Sequence, residues 1–215
     1  MNKNNSENKN ESASNSSPLP IPKITNFVSV AELGTNLDLE KISMKVPNCI
    51  AKNKKSEPNE IWFVKMSIKE PNATVMIFKT GKIKCFGAKS EEESKQAIRI
   101  AVKKIKKIGY GVYLKKFNIV NITAICEVNF EIKLTKLAIT LSDTNSKSNS
   151  KDFKKGKCSF DCEIFPGLIY HMKNPEITLL IFSVGKINIL GAKNRSDIFD
   201  ALNKIYPLLL KHKNN

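Results

Sequence analysis

The sequence predicts an α+β fold in which two tandem copies of one unit, related by a pseudo-twofold, share an antiparallel sheet with helices on one face. Three observations predict it. The stretch IFKTGKIKCFGAK, from Ile77, returns as IFSVGKINILGAK, from Ile181, and the two phenylalanines Phe78 and Phe182 lie 104 positions apart. Each copy runs through the same series of hydrophobic periods: strand, short helix, strand-rich meander, long helix. The meander strands are apolar on both faces, although the long helices can cover only one.

The elements follow in order. Residues 1–20 are rich in Asn, Ser and Lys with little apolar content, and are expected to be a disordered tail. KITNFVSVAEL then alternates, with Ile24, Asn26, Val28 and Val30 on one side and Phe27, Ser29 and Ala31 on the other, which predicts a strand. TNLDLEKISMKV predicts a short helix with Leu37, Ile42 and Val46 on one side, and Lys52–Asn59 a polar loop. IWFVKMSIKEP and ATVMIFKTG are strand runs split by the turn signal Pro71-Asn72, and KIKCFGAK is a third. Ser90 caps a helix, with Glu93 completing a capping box. Ala97, Ile98, Ala101, Ile105 and Ile108 keep helical spacing until Gly109 stops it.

The pattern then restarts. NIVNITAICEV matches KITNFVSVAEL, with Asn121 standing where Asn26 stood, and EIKLTKLAI matches the first short helix. Asp143–Lys157 reads as a low-complexity insertion. IFPGLIYHMKNP, ITLLIFSVG and INILGAK are strands, and RSDIFDALNKIYPLLLKH is the closing helix. The expected organisation is therefore a tail at 1–20, repeat 1 at 21–115, and repeat 2 at 116–212 with an insertion at 143–157.

Thirty-six Lys and Arg against twenty Asp and Glu give a net charge of +16, which favours an anionic partner: nucleic acid, a membrane surface or acidic protein. No run approaches the length of a membrane span and the polar N-terminus is no secretory signal, so no membrane partner is expected. Cys49, Cys85, Cys126, Cys158 and Cys162 are an odd number with irregular spacing, as for reduced intracellular thiols. The Cys158/Cys162 pair would need two further ligands, and His171 and His212 are the only histidines, so no metal site is expected. No phosphate-cradling Gly loop and no carboxylate cluster beside a metal motif are present, so neither catalysis nor a cofactor is expected.

The second sheet face, either packed in an oligomer or kept open for a ligand, carries Met76 and Phe78 in repeat 1, Leu180 and Phe182 in repeat 2, and Asn26, Val28, Asn121 and Thr123. Lys82, Lys89, Lys186 and Lys193 rim it. An apolar floor with amides and a basic rim suits a protein that lies in a DNA minor groove and pries base steps apart.

From Ile21 to His212 the chain resembles the TATA-binding protein core, on KITNFVS, KEPNATVMIF, TGKIKCFGAKSEE, EIFPGLIY, LLIFSVGK and IYPLLL. The resemblance implies a saddle-shaped, strongly curved sheet with helices on its convex face. It further implies a nuclear general transcription initiation factor that binds AT-rich promoter DNA, kinks it and nucleates preinitiation-complex assembly. Four intercalating positions carry over as Ile61, Phe78, Phe165 and Phe182, with isoleucine in place of one phenylalanine. Asn26 and Asn121 match the central base-reading asparagines; of a valine pair, Val28 is kept and Thr123 replaces the other. Family threonines before Gly-Ala-Lys are here Phe86 and Leu190, family valines two residues earlier are Lys84 and Asn188, and two phosphate-contacting arginines are Ser67 and His171. Met76 and Leu180 complete the groove-facing set. Asp161, Glu163 and Ile164 match the stirrup that receives transcription factor IIB. The basic helix with Arg99, Lys103 and Lys106 resembles the docking surface for transcription factor IIA, although a solvated outer face is its plain reading. TATA-binding-protein-associated factors and weak self-association through the saddle complete the implied partners. The altered groove residues leave a related paralogue at non-TATA promoters as the alternative; a substrate-binding saddle of a nucleic-acid enzyme is more remote.

Overall fold

The structure is a computed structural model and describes residues 19–147 and 156–214. Its elements are β1 (Lys23–Glu32), α1 (Leu39–Lys45), β2 (Cys49–Asn53), β3 (Ile61–Ile68), β4 (Ala73–Phe78), β5 (Lys82–Ala88) and α2 (Glu91–Lys107), followed by β6 (Lys116–Glu127), α3 (Leu134–Lys147), β7 (Lys157–Ser159), β8 (Gly167–Lys173), β9 (Glu176–Phe182), β10 (Lys186–Ala192) and α4 (Arg195–Lys211). The strands form one antiparallel sheet in the order β2-β3-β4-β5-β1-β6-β10-β9-β8-β7. The order reads the same from either edge inward, so the pseudo-twofold passes between β1 and β6.

The doubled sequence text has a local cause. Gly81 and Gly185 occupy the β4–β5 and β9–β10 turns with φ of 78° and 85°. Their amides donate to Phe78 O and Phe182 O at 2.9 and 3.0 Å. A Cβ at Gly81 would sit 2.2 Å from Thr35 O, and one at Gly185 2.4 Å from Val128 O, so both turns require glycine.

Each half has its own core on the helix side of the sheet. In repeat 1, Val64, Met66, Val75, Ile77, Ile83 and Cys85 from the strands meet Ile42 of α1 and Ile98, Ala101 and Ile105 of α2. In repeat 2, Ile122, Ala124, Leu168, Leu179, Ile181, Ile187 and Ile189 meet Leu137 and Leu141 of α3 and Ile198, Leu202 and Ile205 of α4. Ser29 and Ser94, both buried, share a 2.6 Å hydroxyl hydrogen bond that ties β1 to α2. Cys126 is buried, and burial pushes its thiol up to about 11, as befits a neutral core side chain.

The caps bear on the predicted helix starts. Ser90 Oγ accepts from Glu93 N at 3.0 Å, but the Glu93 carboxylate accepts from Lys89 N rather than from Ser90 N. The reciprocal bond is thus displaced by one residue, and the fully formed box is at Asn194 and Asp197 in α4.

Four expectations change. Strands β2 and β7 pair with β3 and β8 at the two sheet edges, and β2 takes in Lys52 and Asn53 from the expected polar loop. Helix α3 runs on to Lys147, into the expected 143–157 insertion; residues 148–155 of that insertion lie outside the described residues, and Lys157 belongs to β7. Strand β8 begins only at Gly167, because Ile164 N and Phe165 N both donate to Asp161 O in a turn. Of the expected tail at 1–20, only Leu19 and Pro20 lie within the described residues; Leu19 packs on the repeat 2 core and Pro20 O accepts from Cys126 Sγ at 3.8 Å.

Candidate nucleic-acid interface

Strand alternation puts one set of side chains under the helices and leaves the other set on an open face. In β4 and β9, Val75, Ile77, Leu179 and Ile181 are fully buried, whereas Met76, Phe78, Leu180 and Phe182 are only half-buried on the opposite side. In β5 and β10, Lys82 and Lys186 are exposed and Phe86 and Leu190 half-buried on that same side.

At the centre, β1 and β6 pair so that Asn26 faces Thr123 and Val28 faces Asn121. Each pair is the pseudo-symmetric image of the other. Gly87 N donates to Asn26 Oδ1 at 2.7 Å, which commits the oxygen of that amide. Asn121 Oδ1 and Asn188 Oδ1 are buried without a hydrogen-bond partner among the described residues, so the two halves of the floor are not equally satisfied.

Outward from the centre, the cross-strand rows can be compared position by position. Repeat 2 presents Ile169, Leu180 and Asn188 side by side across β8, β9 and β10. Repeat 1 presents Lys65, Met76 and Lys84 across β3, β4 and β5. The repeat 1 floor therefore carries two positive charges that the repeat 2 floor lacks, and neither lysine is in an ion pair with a described residue. Lys65 is absent from the sequence-predicted set; the alternation of β3 was the signal that could have found it.

At the far ends sit aromatic pairs. Phe165 and Phe182 have ring centroids 5.8 Å apart, inclined at 64°. In repeat 1 the corresponding pair is Phe63 and Phe78, 5.9 Å apart and inclined at 46°. Ile61, the predicted wedge, lies elsewhere: it packs against the repeat 1 core and lines a groove with Leu37, Leu39 and Tyr110 on the helix side. The cause is an irregularity in the β2–β3 pairing, where Lys52 faces Phe63 but Asn53 faces Ile61, so one extra residue in β3 re-aims the strand end.

The rim lysines Lys82, Lys89, Lys186 and Lys193 are all exposed. Lys193 Nζ lies 3.5 Å from Glu176 Oε2, both exposed, so the contact is weak and does not withdraw the lysine from an anion. His171 is exposed and its Nδ1 is 2.8 Å from Thr178 Oγ1. Away from the floor, Asp161 Oδ1 accepts from Glu163 N at 3.0 Å, and the turn holds Ile164 outward, 84% exposed, just after the exposed Asp161 and Glu163. Arg99, Lys103 and Lys106 are exposed on the outer face of α2.

These features define a duplicated sheet-and-helix protein with one apolar, amide-bearing, lysine-rimmed sheet face left open. The family described as "Transcription factor TFIID (or TATA-binding protein, TBP)" matches over residues 21–108 and 116–212. The TATA-box-binding protein of Acetabularia peniculus is 38% identical over 193 residues, covering 90% of this chain and 92% of its own. TATA box-binding protein-like 2 of Mus musculus is 40% identical over 193 residues, 90% of this chain, which spans only 50% of the mouse protein's length. A solved Methanococcus jannaschii TBP superposes with a TM-score of 0.71 at 29% identity, covering 90% of this chain and 99% of that one. The chain belongs to the TATA-binding protein family and has its saddle fold.

Proposed function

We propose that the chain is a general transcription initiation factor of the nucleus that lays its concave sheet face along the minor groove of AT-rich promoter DNA, kinks the duplex and serves as a platform for preinitiation-complex assembly. The observation that carries the reading is the composition of the open face: amides at its centre, an aromatic pair at each end, and lysines around it.

The chemistry of each part follows. The minor groove offers A N3 and T O2 acceptors, and a G·C pair adds the guanine amino donor. With its oxygen held by Gly87 N, Asn26 turns its amide nitrogen, a donor only, toward those acceptors. Val28, Leu180 and Leu190 offer no acceptor and the Met76 thioether only a weak one, so a guanine amino group laid on them loses its hydrogen bond at a cost of about 1–3 kcal/mol. Rings at the two ends enter opened base steps; unstacking costs a few kcal/mol per step and is offset by the surface that the bent duplex wraps. Lys82, Lys89, Lys186 and Lys193, with His171, meet the flanking phosphates. The exposed Asp161–Ile164 turn supports capture of transcription factor IIB, and the basic face of α2 supports docking of transcription factor IIA; TATA-binding-protein-associated factors belong to the same assembly.

Lys84, Phe86, Asn188 and Leu190 on the floor favour a second reading within the same class, a paralogue that serves promoters without a strict TATA element. Selection from random duplex DNA tests both. Enrichment of AT-rich sites with TA steps is the expected outcome, a single narrow TATA consensus would remove the paralogue reading, and no enrichment would refute the proposal.

A further inference from the structure

The equivalence of the two halves assigns a role to a residue outside the resemblance-implied set. Phe63 faces Phe78 across β3 and β4, and Gly167 faces Phe182 across β8 and β9, so Phe63 and Gly167 occupy the same place in the two repeats. In repeat 2 the ring comes from the turn before β8. Phe165 swings over Gly167, where a Cβ would lie 2.8 Å from Phe165 Cε1 and 3.0 Å from Phe182 Cε1. In repeat 1 the residue in the Phe165 position, Ile61, packs on the core instead, and the ring beside Phe78 grows from the strand itself. Trp62 packs edge-on to that ring, with centroids 5.2 Å apart at 68°, and props it from the side. Among the described residues Phe63 belongs to neither buried core cluster, and its ring neighbours are Trp62 and Phe78 at the end of the open face.

We propose that Phe63 is the second intercalating side chain of repeat 1, a ring transposed by two residues from the position held by Ile61. The inference rests on the minor-groove reading above. Two wedges per end are thereby kept, and the kinks at the two ends are of similar size despite the isoleucine. A ring carried on a paired strand is also held more firmly than one on a turn, because its backbone is fixed on both sides by β2 and β4.

The test uses an AT-rich duplex with 8-vinyladenine, a base whose fluorescence rises on unstacking and which adds no amino group to the minor groove, placed at one or the other expected kink in separate duplexes. The wild-type protein should give a rise at both ends. Phe63→Ala should lower the rise at the repeat 1 end and Phe165→Ala the rise at the repeat 2 end, each sparing the other end, and the double variant should lower both, with Phe78 and Phe182 left as the remaining wedges. Ile61→Ala should leave the fluorescence unchanged while lowering the melting temperature, as expected of a core side chain. A full rise with Phe63→Ala, or its loss with Ile61→Ala in a protein that melts cooperatively, would overturn the proposal. No rise with the wild-type protein would instead strike at the minor-groove reading.

Discussion

The charge difference between the two floors should make binding polar. Lys65 and Lys84 flank Met76 in repeat 1, where repeat 2 has Ile169 and Asn188 flanking Leu180. Replacing Lys65 by isoleucine and Lys84 by asparagine gives repeat 1 the side chains that the same sheet already carries in repeat 2, so the fold should tolerate the change. Each cation that displaces a condensed counterion adds about −0.9 to the slope of log K against log salt, so the double variant's slope should be flatter by about 1.8. Between about 50 and 200 mM salt, that difference is a roughly twelvefold smaller loss of affinity. Fluorescence anisotropy on a labelled duplex over this range measures it. Lys82→Ala, at the rim, should flatten the slope by about half as much. The floor lysines should do one thing the rim lysine does not. On a site whose two halves differ, repeat 1 should choose the half with the narrower, more negative minor groove. Energy transfer between one DNA end and a dye on one repeat reads that orientation. The wild-type protein should show a dominant orientation that the double variant loses. An unchanged slope in the double variant would mean that neither lysine approaches DNA, and a changed slope with unchanged orientation would refute the polarity argument.

Three further outcomes are expected. Glu163→Arg should leave DNA affinity nearly intact and abolish the proposed ternary complex with transcription factor IIB, because it cancels the negative charge of the exposed Asp161–Ile164 turn and sets a cation against a basic partner; a retained complex on a gel would remove Glu163 from the interface. Phe86→Thr with Leu190→Thr should narrow the motif recovered from random DNA, since two floor positions regain hydrogen-bonding hydroxyls; an unchanged motif would show that these positions do not govern readout. Ser94→Ala should cost about 1–3 kcal/mol in denaturant unfolding by orphaning the buried Ser29 hydroxyl, while Ser29→Ala with Ser94→Ala should be closer to neutral; equal losses would show that the hydroxyl pair contributes nothing as a pair.

Much of this architecture is legible in one sequence because the chain states it twice. The repeated glycines mark turns that only glycine fits, and the two-faced apolar strands announce a face that the helices do not cover. What could not be read depends on pairing between distant segments. CIAKN and the three residues of β7 are too short and too polar to signal strands, and they become strands because β3 and β8 offer open edges. The extra residue that turns Ile61 onto the repeat 1 core exists only in the register between β2 and β3, which the sequence of one strand does not display. Lys65 was missed for a related reason: a lysine inside a strand run reads as solvated until its cross-strand neighbours place it on the floor. The length of α3 was hidden by the Ser/Asn/Lys run into which it continues, while Leu134, Leu137 and Leu141 anchor its start.

The central claim is that the protein reads DNA from the minor groove, and replacing every A·T pair of a bound site by inosine–cytosine tests it most directly. Inosine lacks the guanine amino group, so the pair presents the A·T pattern of acceptors in the minor groove and the G·C pattern in the major groove. Affinity for the substituted duplex should stay close to that for the A·T site, and restoring guanine in place of inosine should abolish specific binding. Loss of binding already on the inosine duplex, at equal salt and length, would place the readout in the major groove and contradict the account.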